Sequence, residues 1–346
     1  MVQKFLGLLD ILVKVKIRGM RLVGITTTVP VEIMLAGGVV PADLNNLFIT
    51  HPRREQLLAQ AHGFGFASNL CTWVKGIFQV CLEMGIKEVV GVVRGDCSST
   101  EKLLEIFSLL GIKTIPFAYP PDRSPDFLKQ ELERFAGYFQ TSLSHAEKIR
   151  DELKPIREKL AELDRRTWET DQVSGEENHL WLVSASDFNR SPEKFEKELD
   201  EFLLQVRERS AFPQKIRLAY LGVPSIFDDL YQVLEERGAR VVYNEVQREF
   251  AMLKPAQNLV EQYLIYTYPY DVFYRAEEIK KQIKIRRIHG IIHYAQTFCH
   301  RQIESIAFKK LFSLPVLTLE GDQPAPVDAR TRTRIEAFLE MLQAEL

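Results

Sequence analysis

Long apolar runs are missing from these 346 residues. None approaches the roughly 18 residues that cross a membrane. The first stretch, MVQKFLGLLDILVKVKIRG, alternates apolar and charged residues and lacks a small-residue cleavage site, so it does not read as a signal peptide. A soluble, cytoplasmic protein with no membrane partner is expected. An excess of one charge is missing too. The chain has 45 Lys and Arg against 47 Asp and Glu, so nothing in the totals asks for nucleic acid. The pairs Lys280–Lys281 and Arg286–Arg287 read as solvated helix faces. There is no G-x4-G-K-[ST] phosphate loop, and GFGF at 63–66 is no dinucleotide fingerprint. Cysteine is scarce: there are four. In a reducing compartment four thiols make no disulfide framework, and no two sit close enough for the C-x2-C spacing of a closed zinc site.

What is present is ordinary globular material, 46% apolar and 27% charged, enough chain for two cores. RLVGITT (21–27), KEVVGVVRGD (87–96) and KTIPFAYP (113–120) read as strands, and 30–38, 69–85 and 98–111 as helices closed by glycine. That order predicts a parallel sheet covered by helices. A helical stretch from about Asp126 to Trp168 follows, with Pro155 expected to break or kink it. The polar segment 169–178 marks the boundary between a domain at 1–170 and another at 171–346. In the second half, strands at 215–224, 239–245, 288–296 and 314–322 alternate with helices at 225–238, at 301–312 and from Asp328. The expected fold is α/β: two doubly wound, Rossmann-like domains with parallel sheets and a helical connector.

Three cysteines share a place in this pattern. Cys97 follows one strand and opens a helix, Cys299 does the same in the second half, and Cys71 starts the helix TWVKGIFQVCLEMG. Open α/β folds build sites at the carboxyl ends of their strands. Helix N-termini there favour the thiolate, the form that binds metal. Cys81 lies ten residues beyond Cys71, on another face of its helix, and reads as packing. The spacings of 26 and 202 residues leave two readings open: buried structural thiols, or three soft ligands converging between the domains.

Five segments carry a resemblance: TTTVPVEIMLAGGVVP (26–41), NLCTWVKG (69–76), GDCSST (95–100), HYAQTFCH (293–300) and the tail LPVLTLEGDQPAPVDARTRTRIEAFLEML (314–342). From about Arg21 onward the chain resembles the 2-hydroxyacyl-CoA dehydratase, benzoyl-CoA reductase and double-cubane-cluster superfamily. The resemblance implies that Cys71, Cys97 and Cys299 bind an iron–sulfur cluster. It is either one 4Fe-4S cube per chain or an 8Fe-9S double cubane shared by a homodimer, the group this chain is most like. It also implies a separate ATP-hydrolysing 4Fe-4S activator as the source of low-potential electrons. The implied activity is reduction of a small substrate at the cluster. The alternatives are a subunit of a 2-hydroxyacyl-CoA dehydratase and a non-catalytic electron-carrying protein.

Around the thiols, Glu32 and His300 are the candidate catalytic residues, Glu32 with Thr27 and Thr28 near the first strand end, His300 beside Cys299. His293 is a further proton or hydrogen-bond donor, Lys75 a counter-charge one turn from Cys71, and Glu320 and Asp322 carboxylates at a strand end.

Overall fold

Parallel strands need both faces covered, and the valine-rich strands of this chain are covered. In the computed structural model residues 21–346 are described, so the N-terminal stretch MVQKFLGLLDILVKVKIRG lies outside the described residues. Strands β1 (Arg21–Ile25), β2 (Val39–Asp43), β3 (Glu88–Arg94) and β4 (Lys113–Ala118) form a parallel sheet in the order β2-β1-β3-β4. Its register runs from Arg21↔Val39 to Ile25↔Asp43 on one side of β1 and through Gly24↔Val89 and Ile25↔Val90 on the other. Strands β5 (Ile216–Gly222), β6 (Ala239–Asn244), β7 (Gly290–Gln296) and β8 (Val316–Gly321) repeat that order as β6-β5-β7-β8, again all parallel. The expected α/β class with two parallel sheets is what the chain adopts.

Helices α1 (Val31–Ala36), α2 (Leu44–Ile49), α3 (Arg54–Phe64), α4 (Thr72–Glu83) and α5 (Ser99–Leu109) belong to the first sheet. The connector is α6 (Pro125–Tyr138), α7 (Leu143–Trp168), α8 (Gly175–Ser184) and α9 (Pro192–Arg207). The second sheet carries α10 (Leu230–Glu235), α11 (Glu245–Ala251), α12 (Leu259–Ile265), α13 (Val272–Arg286), α14 (Glu304–Leu311) and the closing α15 (Ala329–Ala344). Side chains on both sides of residue 170 share one core, which runs from Val23 through Leu160 and Trp181 to Tyr270.

Three local expectations need correction, and one strand went unread. The connector breaks at 139–142, not at Pro155: Gln140 takes a left-handed φ of 53° and Ser142 caps α7, which continues as one helix past the proline. Strand β2 went unread because Pro41 disguises it; an edge strand tolerates proline. The helix expected over 225–238 is only Leu230–Glu235, because Phe227 bridges Ala325 and the Asp228 N–H donates to the Ala325 carbonyl at 3.0 Å. Arg286, expected on a solvated face, is buried: its guanidinium pairs with Asp164 and donates to the Val242 carbonyl at 2.7 Å.

In each sheet the chain steps from the first strand outward to the second, then back across to the third. The loops after β1 and β3 therefore diverge, as do those after β5 and β7, and each divergence opens a crevice at the strand ends.

Candidate functional site

Both crevices feed one cleft of about 820 Å³ between the two sheets, within the range of ligand sites. Cys71, Cys97 and Cys299 line it together, each from the start of a helical turn. Cys71 is the N-cap of α4, with extended backbone (φ −49°, ψ 130°). Cys97 follows β3 immediately ahead of Ser98, the N-cap of α5. Cys299 is the N-cap of the 3-10 turn His300–Ile303 that follows β7. The β3 loop reaches the cleft because Gly95 has φ +96° and lies against Pro269, where a Cβ would come within 2.7 Å of the ring carbon. Cys81 is fully buried in the core packed against α4, as its position on another helix face predicts.

Burial pushes the Cys71 thiol up to about 12 and the Cys299 thiol to about 11, and raises Cys97 as well. Backbone N–H groups at each turn pull the other way: Val74 and Trp73 at Cys71, Ser99 and Thr100 at Cys97, Arg301 at Cys299. The helix starts thus favour the thiolate, as expected, but in the metal-free chain desolvation outweighs them. Part of the rise at Cys71 and Cys299 comes from neighbouring thiolates, Cys97 and Cys299 acting on Cys71 and Cys97 acting on Cys299. A bound cation inverts that balance, since coordination removes the thiol proton outright. Among the described residues no three His, Cys, Asp or Glu side chains are grouped to hold a single metal ion. Three half-buried thiols on one cleft, with backbone donors behind them, would suit a multi-iron cluster better than a single ion.

The remaining candidates separate. Thr27 lines the cleft; Thr28 is buried behind it. His300 lies on the cleft wall, and burial and the Arg301 cation both favour its neutral ring. His293 is fully buried on β7, edge-on to Phe308 at 4.9 Å and pulled down to about 4 by desolvation. Lys75 is buried, its ammonium donating to the Ser68 carbonyl at 3.3 Å. Asp322 accepts from Thr72 Oγ1 at 3.5 Å, touching the first residue of α4, whereas Glu320 is exposed and accepts from Gln302. Glu32 corrects the catalytic expectation placed on it. It does not line the cleft; its carboxylate is fully buried, paired with Arg157 and accepting from Gln262 and Tyr263 at 2.7 Å each.

Several cleft residues went unread in the sequence. Asp43 and Asp187 are buried in its wall, the Asp43 N–H donating to Asp187 Oδ2 at 2.8 Å and Ser186 Oγ donating to Asp43 at 2.7 Å. The turn after Asp187 holds Phe188, Asn189 and Arg190, all at left-handed φ between 49° and 67°, a costly conformation for residues other than glycine. Arg301 was legible as a cation two residues from Cys299. Tyr268, which stacks under it, sits in the aromatic run YTYPYDVFY, where Tyr266, Tyr268 and Tyr270 alternate as in a strand although the chain there is the turn between α12 and α13.

The sequence model of the family 2-hydroxyglutaryl-CoA dehydratase, D-component, matches residues 26–342. No curated protein matches the chain. The matched span takes in all three cleft cysteines. Among the described residues no helix is long and apolar enough to cross a membrane.

Proposed function

The chain belongs to the 2-hydroxyglutaryl-CoA dehydratase D-component family, and from that membership we propose that it holds an iron–sulfur cluster on Cys71, Cys97 and Cys299 and uses it to reduce a substrate bound in the cleft. The observation that carries this reading is the convergence of those three cysteines, remote in sequence, on one cleft at strand ends. When bound, the cluster supplies low-potential electrons. The chain's own residues do the rest. The N–H groups of Val74, Trp73, Ser99, Thr100 and Arg301 stabilise anionic sulfur. His300 stands on the wall as a proton donor or acceptor for the substrate. The apolar side chains of Trp73, Val74, Leu103 and Phe250 exclude water from part of the lining. No phosphate loop is present in the sequence, so the electrons come from a separate ATP-hydrolysing activator.

Three ligands from one chain form an incomplete set for a cube, which takes four. A homodimer that brings two such sets together at its two-fold axis would offer six thiolates to one shared double cubane. A second reading, a subunit acting on 2-hydroxyacyl-CoA thioesters, is favoured by the family's description and by a cleft larger than a small molecule needs. The same volume beside the thiols weighs against a sealed, purely electron-carrying protein.

The test is anaerobic. Iron and sulfide per chain are measured first; a wild-type protein that takes up neither ends the proposal. The loaded protein is then mixed with an activator, ATP and a reductant, and turnover of small unsaturated or nitrogenous molecules is compared with that of 2-hydroxyacyl-CoA thioesters. Turnover of thioesters alone favours the second reading. Reduction that proceeds equally well without ATP hydrolysis counts against the activator.

A further inference from the structure

The two cysteine loops that follow β3 and β7 come from different sheets, and one side chain joins them. Arg301 is buried, 6% exposed. Its Nη2 donates to the Tyr268 carbonyl at 3.1 Å and to the Gly95 carbonyl at 3.5 Å, while Nη1 donates to Glu304 at 2.9 Å. The guanidinium lies over the Tyr268 ring, 4.1 Å from its centroid, and the Tyr268 hydroxyl donates to Asp96 at 3.0 Å. Gly95 and Asp96 directly precede Cys97, and Arg301 itself is two residues from Cys299. The fork therefore spans both loops, a task for the planar guanidinium that an ammonium does not match.

One donor is left over. Arg301 Nε finds no hydrogen-bond partner among the described residues although it is buried, and Arg301 lines the same cleft as the three thiols. A buried charged donor without an acceptor is costly, so an acceptor belonging to the cleft's occupant is the natural complement. The charges nearby balance in pairs: Arg301 with Glu304, Glu304 also with Arg275, and Arg275 with Glu245. Removing the first cation leaves this buried array with one negative charge in excess, beside Cys299.

We propose that Arg301 is the positioning residue of the site: it clamps the Cys97 and Cys299 loops together and turns a buried positive charge and a free N–H toward anionic sulfur, raising the potential of whatever iron–sulfur group the thiols hold. This rests on the cluster reading above for its electrostatic half; the clamp is a property of the chain alone.

Two variants and two measurements test it. The metal-free and cluster-loaded proteins are prepared anaerobically as wild type, Arg301→Gln and Arg301→Lys. Hydrogen exchange of residues 95–100 in the metal-free protein reads the clamp, and it is expected to speed up in both variants because both lose the fork. A spectroscopic redox titration of the loaded protein reads the charge. Arg301→Gln is expected to shift the one-electron equilibrium at least about tenfold toward the oxidised form, about 59 mV lower in potential, and Arg301→Lys is expected to recover most of that shift. Unchanged exchange in both variants overturns the clamp. A wild-type potential in Arg301→Gln overturns the electrostatic role. If Arg301→Gln does not fold, Arg301→Lys decides: faster loop exchange with a near-wild-type potential supports the proposal, and the reverse pattern refutes it. A wild-type chain that takes up no cluster fails the functional reading and the electrostatic half together, while loop exchange still judges the clamp.

Discussion

Replacing Glu32 with alanine separates anchoring from catalysis. The carboxylate is fully buried, and three groups from two other helices converge on it: Arg157 of α7, and Gln262 and Tyr263 of α12. Truncation leaves the buried Arg157 cation with Gln262 Oε1, at 3.3 Å, as its remaining hydrogen-bond acceptor among the described residues, and the Tyr263 hydroxyl with only the Val29 carbonyl, at 3.1 Å, there. Breaking a buried ion pair from one side costs about 3–5 kcal/mol. With unfolding entropy of about 2.1 cal/mol/K per residue, roughly 0.7 kcal/mol/K over 346 residues, that loss lowers the thermal midpoint by roughly 4–7 °C. The effect should also depend on pH. Burial pushes Glu32 up, but Arg157, the backbone and the two side-chain donors together outweigh it and hold the group below the usual carboxylate range. A folded value below the unfolded one contributes stability that is present above the unfolded value and lost as pH falls through the folded one. Glu32→Ala should therefore lose stability most at neutral pH and approach wild type in acid. Calorimetry or circular dichroism across pH checks this. A midpoint within about 1 °C of wild type at neutral pH, with turnover abolished, refutes the anchor and restores Glu32 as a catalytic group.

Serine at Cys71, Cys97 or Cys299 should lose bound iron after anaerobic purification, whereas Cys81→Ser should keep it; full retention in Cys97→Ser sinks the ligand assignment. The native mass of the iron-loaded protein should be that of a dimer, and a monomer that still binds iron rules out a shared site. Burial, and then the charge of Asp43, push Asp187 up to about 7 from its ordinary 3.8. The folded chain therefore holds that proton more tightly than the unfolded one, and stability should decline as pH rises from about 4 to about 7. Asp187→Asn, neutral throughout, should flatten that decline in a thermal-midpoint series, and an unchanged slope would show that the acid pair does not govern it.

The parallel sheets were legible because buried valine runs alternate with glycine-closed helices, the strongest periodic signal a chain carries. The placement of Cys71, Cys97 and Cys299 was legible for a related reason: in a parallel sheet the start of each helix that leads to or from a strand lies at the carboxyl ends of the strands. Glu32 misled because a carboxylate at a helix start looks the same in sequence whether it faces a cleft or an arginine 125 residues away. Arg286 misled in the opposite direction, its partner Asp164 lying 122 residues back. The acid pair of Asp43 and Asp187 was invisible because it is formed by tertiary packing across 144 residues, and the left-handed turn that follows it contains no glycine to announce it. Pro155 shows the limit of a local rule: one missing N–H in a 26-residue helix is outweighed by the buried side chains on either side of it, Leu153 and Ile156.

A fold that repeats itself offers its positions in twos. Cys97 and Cys299 occupy the same step of the two sheets, after the third strand of each. The step that Cys71 occupies, the cap of the helix leading into that strand, is filled in the second sheet by Asp271, whose carboxylate is already taken by the Phe273 and Tyr274 N–H groups. The backbone halves match while the side chains at this step do not. The first half therefore sends two cysteines to the cleft and the second half one, while Asp271 stays exposed outside it, so a doubled backbone carries a lopsided set of thiols.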